Sequence, residues 1–201
     1  MTENDIRILM EDESIRQKVH QLKSEFIRKS ASGLDVNDHD FLGLVFLTPM
    51  ILMALANDEI SLSEEWELNK KARMLSTGRY FFEPDPVILS MKFLIKRIGH
   101  WKKKFLELIR YCLEVHSGNG MAFSAKRGKK ELTHVDLSKE VLDAPYFFVR
   151  FIAFLFFTDE NEIKPRKVST KEKNEILEIA KIIGISESPV FLKFFKELII
   201  Y

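Results

Sequence analysis

The side chains able to do chemistry are few and dispersed. Five histidines, His20, His39, His100, His116 and His134, are spread along the chain. No two stand as His-x-x-x-His or His-Glu-x-x-His, the spacings that place two imidazoles on one helix face for a metal. His39 lies between Asp38 and Asp40, a cluster that also suits the polar start of a helix. Cys112 and His116 share a helix face, which would suit a soft metal or a reactive thiol. Two ligands are too few for a metal, and a cysteine on an apolar face beside a helix-terminal histidine explains the pair more simply. Lys96, Arg97, His100, Lys102, Lys103 and Lys104, with the run Lys126-Arg127-Gly128-Lys129-Lys130, could contact phosphates, and Trp101 could stack on a base. The plainer reading is a solvated helix face and an exposed loop. There is no Gly-x-x-x-x-Gly-Lys phosphate loop and no Gly-x-Ser-x-Gly nucleophile turn. Paired acids such as Glu64-Glu65 fall where helix capping explains them. No catalytic or cofactor-binding residue is assigned. A non-enzymatic protein is the expectation, with an enzyme built from distant residues left open.

Composition bounds the elements that must hold these residues. The 201 residues are 46% apolar and 30% charged, and 31 Lys plus Arg against 30 Asp plus Glu give a formal net charge of +1. This is ordinary for a globular chain and too apolar for disorder. With a pI of 7.8, the chain is unlike strongly basic nucleic-acid-binding domains, which usually exceed about 9. The single Cys112 excludes an intrachain disulfide and a zinc site of two to four cysteines. The first residues, MTENDIRILMEDES, lack the basic start and apolar stretch of a secretory signal, so the expected location is cytoplasmic. Residues 41–56 form an uncharged run of 16, short of the roughly 20 that cross a membrane. The run holds Gly43, Thr48 and Pro49 and is flanked by acids. A second apolar stretch, residues 145–158, is interrupted by Arg150. Both read as core helices, with no membrane span.

Helical periodicity dominates. Ile15, Val19, Leu22 and Phe26 line one face of a helix that Asp12 or Ser14 caps and residues 31–33 end. Asn37 or Asp38 caps the apolar helix through residue 56, and Pro49 should kink it or start its second half. Ser61 and Glu64 have capping-box spacing for a helix over about 62–76. Asp85-Pro86 starts another, and residues 101–115 a further one with Phe105, Leu108, Ile109 and Cys112 on one face. Residues 117–131 read as an exposed basic loop and 138–142 as a short helix. Residues 146–158 read as an apolar helix, because the run is longer than the usual strand and no partner strands are visible. Ser169 and Glu172 form another capping box, its helix ends at Gly184, and Ser186 caps a last helix with Val190, Phe191, Phe194, Phe195 and Leu198 inward. One order of events thus occurs twice: apolar helix, acidic turn, Ser-x-x-Glu box, helix, glycine, cap and proline, helix. The Ser-to-Gly distances are 17 and 15 residues. A duplicated unit and two hairpins obeying the same capping rules both account for it.

The segment Ala-Leu-Ala-Asn-Asp-Glu-Ile-Ser-Leu-Ser-Glu-Glu, residues 54–65, resembles the signature of the tellurite-resistance TerB-like family, Ala-Asp-Gly-x-Ile-Ser-x-x-Glu between two helices. Residues 168–172 and 179–186 are similar to a later stretch of that family. Where the family has Asp-Gly this chain has Asn57-Asp58, and the second copy has Asp159-Glu160 followed by an insertion at 161–167. The family's glycine suits a left-handed turn, which Asn and Asp tolerate at a cost. The resemblance implies an all-helical bundle, a link to tellurite resistance or other stress responses, and no established catalysis. It also implies a metal role for acidic turns, carried here by Asp58, Glu59, Glu64, Asp159, Glu160 and Glu172. A hard divalent cation would need about six to eight oxygens, so the two turns would have to converge. The EF-hand spacing is absent, and the alternative is that Glu64 and Glu172 only cap helices while the other acids are solvated.

The expected fold is all-α: one domain, residues 1–201, of about eight to ten helices, with a repeat at 38–116 and 138–201 joined by the loop 117–131 as one reading. The expected function is a non-enzymatic TerB-like stress-response protein that binds a protein partner or a divalent cation. The alternative is a nucleic-acid-binding or regulatory module using residues 96–104 and 126–130.

Overall fold

An uncharged run of this length must be removed from water, and it supplies the frame. The computed structural model describes residues 1–78, 85–116, 146–156 and 167–201, and these hold nine helices and a single two-stranded pairing. The all-α expectation holds. Contacts divide the chain into two units, Met1–Cys112 and Leu113–Tyr201.

The first unit contains α1 (Glu3–Leu9), α2 (Glu13–Ser30), α3 (Asp38–Leu55), α4 (Leu62–Leu75), α5 (Pro86–Lys96) and most of α6 (Ile98–His116). The apolar run is α3. Asn37 opens it, accepting the Asp40 amide at 2.7 Å, with Asp38 and Asp40 in the first turn where the helix dipole favours them. Pro49 does not start a new helix: α3 continues through it, although proline supplies no amide for the Val45 carbonyl. By length and composition α3 could cross a membrane, but 83% of it is buried, and it packs against α1, α2, α4 and α5. At the crossing with α4, a Cβ on Gly43 would lie 3.2 Å from the Leu75 carbonyl oxygen, so the close approach uses the missing side chain.

Each neighbour starts on a local signal. Asp12 caps α2 through the Ser14 and Ile15 amides at 2.8 and 3.1 Å, and Ile15, Val19 and Phe26 are buried, with Leu22 half-buried. Asp85 caps α5 through the Val87 amide at 2.8 Å, with Pro86 at the first position. The short α1 was not foreseen. Its Asp5 carboxylate accepts the Thr2 amide at 2.8 Å, and its Ile6 and Leu9 are fully buried. Four rings join α2, α3 and α6. Phe26 lies 5.7, 5.2 and 5.7 Å from Phe41, Trp101 and Phe105, centroid to centroid.

The second unit holds α7 (Tyr146–Phe156), β1 (Lys167–Val168), α8 (Thr170–Ile183), α9 (Pro189–Glu197) and β2 (Ile199–Ile200). Phe156 of α7 meets Phe191 of α9 at 5.7 Å. Gly184 ends α8 at φ +87°, and the Gly184 and Ile185 amides both reach the Ala180 carbonyl at 2.9 Å. The cap of α9 is Ser188, not Ser186, because Pro189 takes the first helical position and the residue before it must be the cap. Val190, Phe191 and Leu198 are buried, whereas Phe194 and Phe195 are half-buried. β1 and β2 pair in parallel, Lys167 with Ile199 and Val168 with Ile200, a contact the sequence reading did not anticipate. The expected loop 117–131 and helix 138–142 lie outside the described residues.

Candidate functional site

The corner after α3 is built from three polar residues, Asn57-Asp58-Glu59, followed by a capping box. Asp58 has φ +75°, the one left-handed non-glycine among the described residues, and it stands where the family signature has glycine. An L side chain there carries a cost, so Asp58→Gly is expected to stabilise the first unit by about 0.5–1 kcal/mol in urea titration. The Ser61 amide donates to Glu64 Oε2 at 2.8 Å, and Ser61 Oγ accepts the Glu64 amide at 3.3 Å. The second corner repeats the box: the Ser169 amide reaches Glu172 Oε2 at 2.6 Å and Ser169 Oγ accepts the Glu172 amide at 3.2 Å. Both boxes open helices of 14 residues.

These carboxylates are therefore occupied by backbone amides. Among the described residues no group of three metal-capable side chains comes together. Asp58 and Glu59 are exposed, Glu64 is half-buried and Glu172 is buried. Asp159 and Glu160 lie outside the described residues.

What the corner does present is apolar. Leu62 and Trp66, four residues apart on α4, are 86% and 71% exposed. The buried stripe of the same helix is Leu68, Ala72 and Leu75. At about 100° per residue, Trp66 points roughly 160° away from Leu68, so the pair was legible as an outward apolar face that the sequence reading passed over. Glu59 and Glu65 are exposed beside it, and the first basic residue along α4 is Lys70.

The other candidates resolve into structure. In Asp38-His39-Asp40, Lys23 Nζ lies 2.6 Å from Asp38, and the His39 ring sits between Asp40 Oδ1 at 3.4 Å and the Glu3 carbonyl at 3.3 Å. Asp40 is fully buried and accepts from Asn37 Nδ2 at 2.8 Å and the Thr77 amide at 3.0 Å. The triplet thus ties α1, α2 and the end of α4 to the start of α3. Cys112 is buried, and burial pushes its thiol up to about 12. It should resist thiol-reactive dye at pH 8 in the native protein and react only on unfolding. The ring of His116 lies 5.2 Å from that of Phe147.

The basic stretch is only partly free to meet phosphates. Trp101 is fully buried and donates its indole N–H to Ser30 Oγ at 2.8 Å, so it offers no ring to a base, and the alternative that used it for stacking loses that contact. Its spacing to Phe105 puts it on the apolar stripe of α6. Glu25 accepts from both Lys104 and Lys29 at 2.6 Å, and these bonds hold its carboxyl down to about 2. A folded pKa below the usual 4.5 means that this stabilisation is present above about pH 4.5 and lost as pH falls toward 2. The destabilisation caused by Glu25→Gln should accordingly shrink between pH 7 and pH 3 in thermal melts. Lys103 is exposed and 3.9 Å from Glu107, and Lys102 is half-buried. Lys126, Arg127, Lys129 and Lys130 lie outside the described residues.

Comparison with family models, with curated proteins and with solved structures finds no match to this chain.

Proposed function

We propose that this chain is a non-enzymatic binding protein of the TerB-like kind that acts in a cytoplasmic stress response by holding a protein partner on the outward face of α4. The observation that carries the reading is the exposed pair Leu62 and Trp66. A large aromatic left in water beside an aliphatic neighbour is costly unless something covers it, and tryptophan is enriched among the residues that dominate interfaces. Glu59 and Glu65 beside the pair give the face an acidic border, so the complementary occupant is a basic amphipathic segment of another protein. What supports the kinship is the left-handed Asp58 at the family's glycine position, followed by the Ser61–Glu64 box.

Trp66 reports on its own surroundings once Trp101 is replaced by phenylalanine, because the chain has only two tryptophans. In that background a lysine-rich amphipathic helical peptide with leucine anchors should shift the emission to the blue and saturate. An acidic peptide with the same apolar face should not. No shift with either peptide contradicts the reading. Calcium, magnesium, manganese and zinc serve as controls: a thermal shift with any of them that Asp58→Ala removes would transfer the function from a protein partner to a cation.

A further inference from the structure

The C-terminal turns of α2 and α5 and the start of α6 line a shallow, open cleft of about 530 Å³. Lys29, Lys96, Arg97 and His100 line it together with Ile95 and Ile98, and no acidic side chain does. We infer that this cleft binds a single phosphoryl group, as inorganic phosphate or the terminal group of a small phosphate monoester. This goes beyond the partner-binding reading and does not depend on it.

The charge balance carries the inference. Lys29 shares its ammonium with Glu25 at 2.6 Å, but Lys96, Arg97 and His100 pair with no carboxylate among the described residues. Arg97 is anchored by one donor, Nη1 to the Lys29 carbonyl at 2.5 Å. Most of its remaining N–H donors are left for a ligand, and a guanidinium matches phosphate oxygens in pairs. Basic residues in the last turns of α2 and α5 also complement those helix dipoles. That alone would not require them to converge, with Arg97 and His100, around one concavity. Ile95 and Ile98, both half-buried, give the cleft an apolar wall, which suits a small organic phosphate. A nucleic-acid strand is the poorer fit, because the adjacent Trp101 is buried and offers no ring to a base.

Calorimetric titration of the full chain with inorganic phosphate, and separately with glycerol 3-phosphate, at constant ionic strength is expected to show one saturable site. Arg97→Gln should weaken it about tenfold, and Lys96→Gln about fivefold. Lys103→Gln, outside the cleft, should leave it unchanged. Circular dichroism separates lost binding from lost fold. If Arg97→Gln fails to fold because the bond to Lys29 is gone, the exposed Lys96 decides the matter. Absence of saturation with both phosphates, or unchanged affinity in Lys96→Gln, overturns the inference. So does binding confined to a single-stranded oligonucleotide and growing with its length, or binding confined to phosphatidic acid vesicles. The first would point to a nucleic-acid surface and the second to a membrane surface.

Discussion

Trp101→Ala is expected to cost the first unit about 4 kcal/mol, read as a lower urea midpoint by far-ultraviolet circular dichroism. The indole is fully buried and lies 5.2 Å from Phe26 and 5.9 Å from Phe105. Truncation removes the largest side chain of a four-ring cluster whose members come from α2, α3 and α6. These helices meet through rigid rings, which cannot collapse far into the space left behind. Ser30 also loses the indole N–H that its Oγ accepts. Trp101→Phe separates the two effects, since it keeps most of the packing and removes the donor; its cost should be about 1–2 kcal/mol. A near-neutral alanine variant would mean that α6 does not hold the unit together.

Asp40→Ala should have a smaller but still large effect, about 2 kcal/mol, for a different reason. The carboxylate is fully buried and buries little apolar area of its own. Its removal leaves Asn37 Nδ2 and the Thr77 amide without the acceptor they now share, and frees the end of α4 from the start of α3. The exposed Asn37 side chain can turn to water, so the cost falls on the part-buried Thr77 amide and on the space left at a fully buried position. Asp40→Asn, which keeps one carbonyl acceptor and the shape of the side chain, should be milder. Equal stability of the alanine variant and the native chain, measured by urea titration, would show that the corner is held by packing alone.

These two residues mark what the sequence disclosed and what it withheld. The capping boxes at Ser61–Glu64 and Ser169–Glu172 were legible because their physics is local: donor and acceptor lie three residues apart and need no tertiary partner. The core role of α3 was legible from its lack of charge, its cap to within two residues, Asn37 or Asp38, and Asp85 from cap chemistry. The helix α1 was not, because seven residues are too few to be helical without the burial of Ile6 and Leu9. The β1–β2 pairing was not, because two residues per strand show no alternation. The lysine neighbours of Trp101 left base stacking open as an alternative, although its four-residue step to Phe105 places it on the buried stripe. Leu62 and Trp66 were passed over for the opposite reason. They are apolar residues of a helix and look like core until they are placed against Leu68, Ala72 and Leu75. The role of Asp40 depends on Thr77, 37 residues away, a distance no local pattern spans.

The proposed function requires α4 to turn its apolar pair outward for a partner instead of inward for stability. The direct measurement is the double variant Leu62→Ser/Trp66→Ser, compared with the native chain for urea stability and for binding of the lysine-rich amphipathic peptide. Stability should stay within about 0.5 kcal/mol, as for surface positions without buried contacts, while peptide binding falls at least about tenfold. A variant that unfolds several kcal/mol more easily, or binds the peptide as the native chain does, would contradict the account.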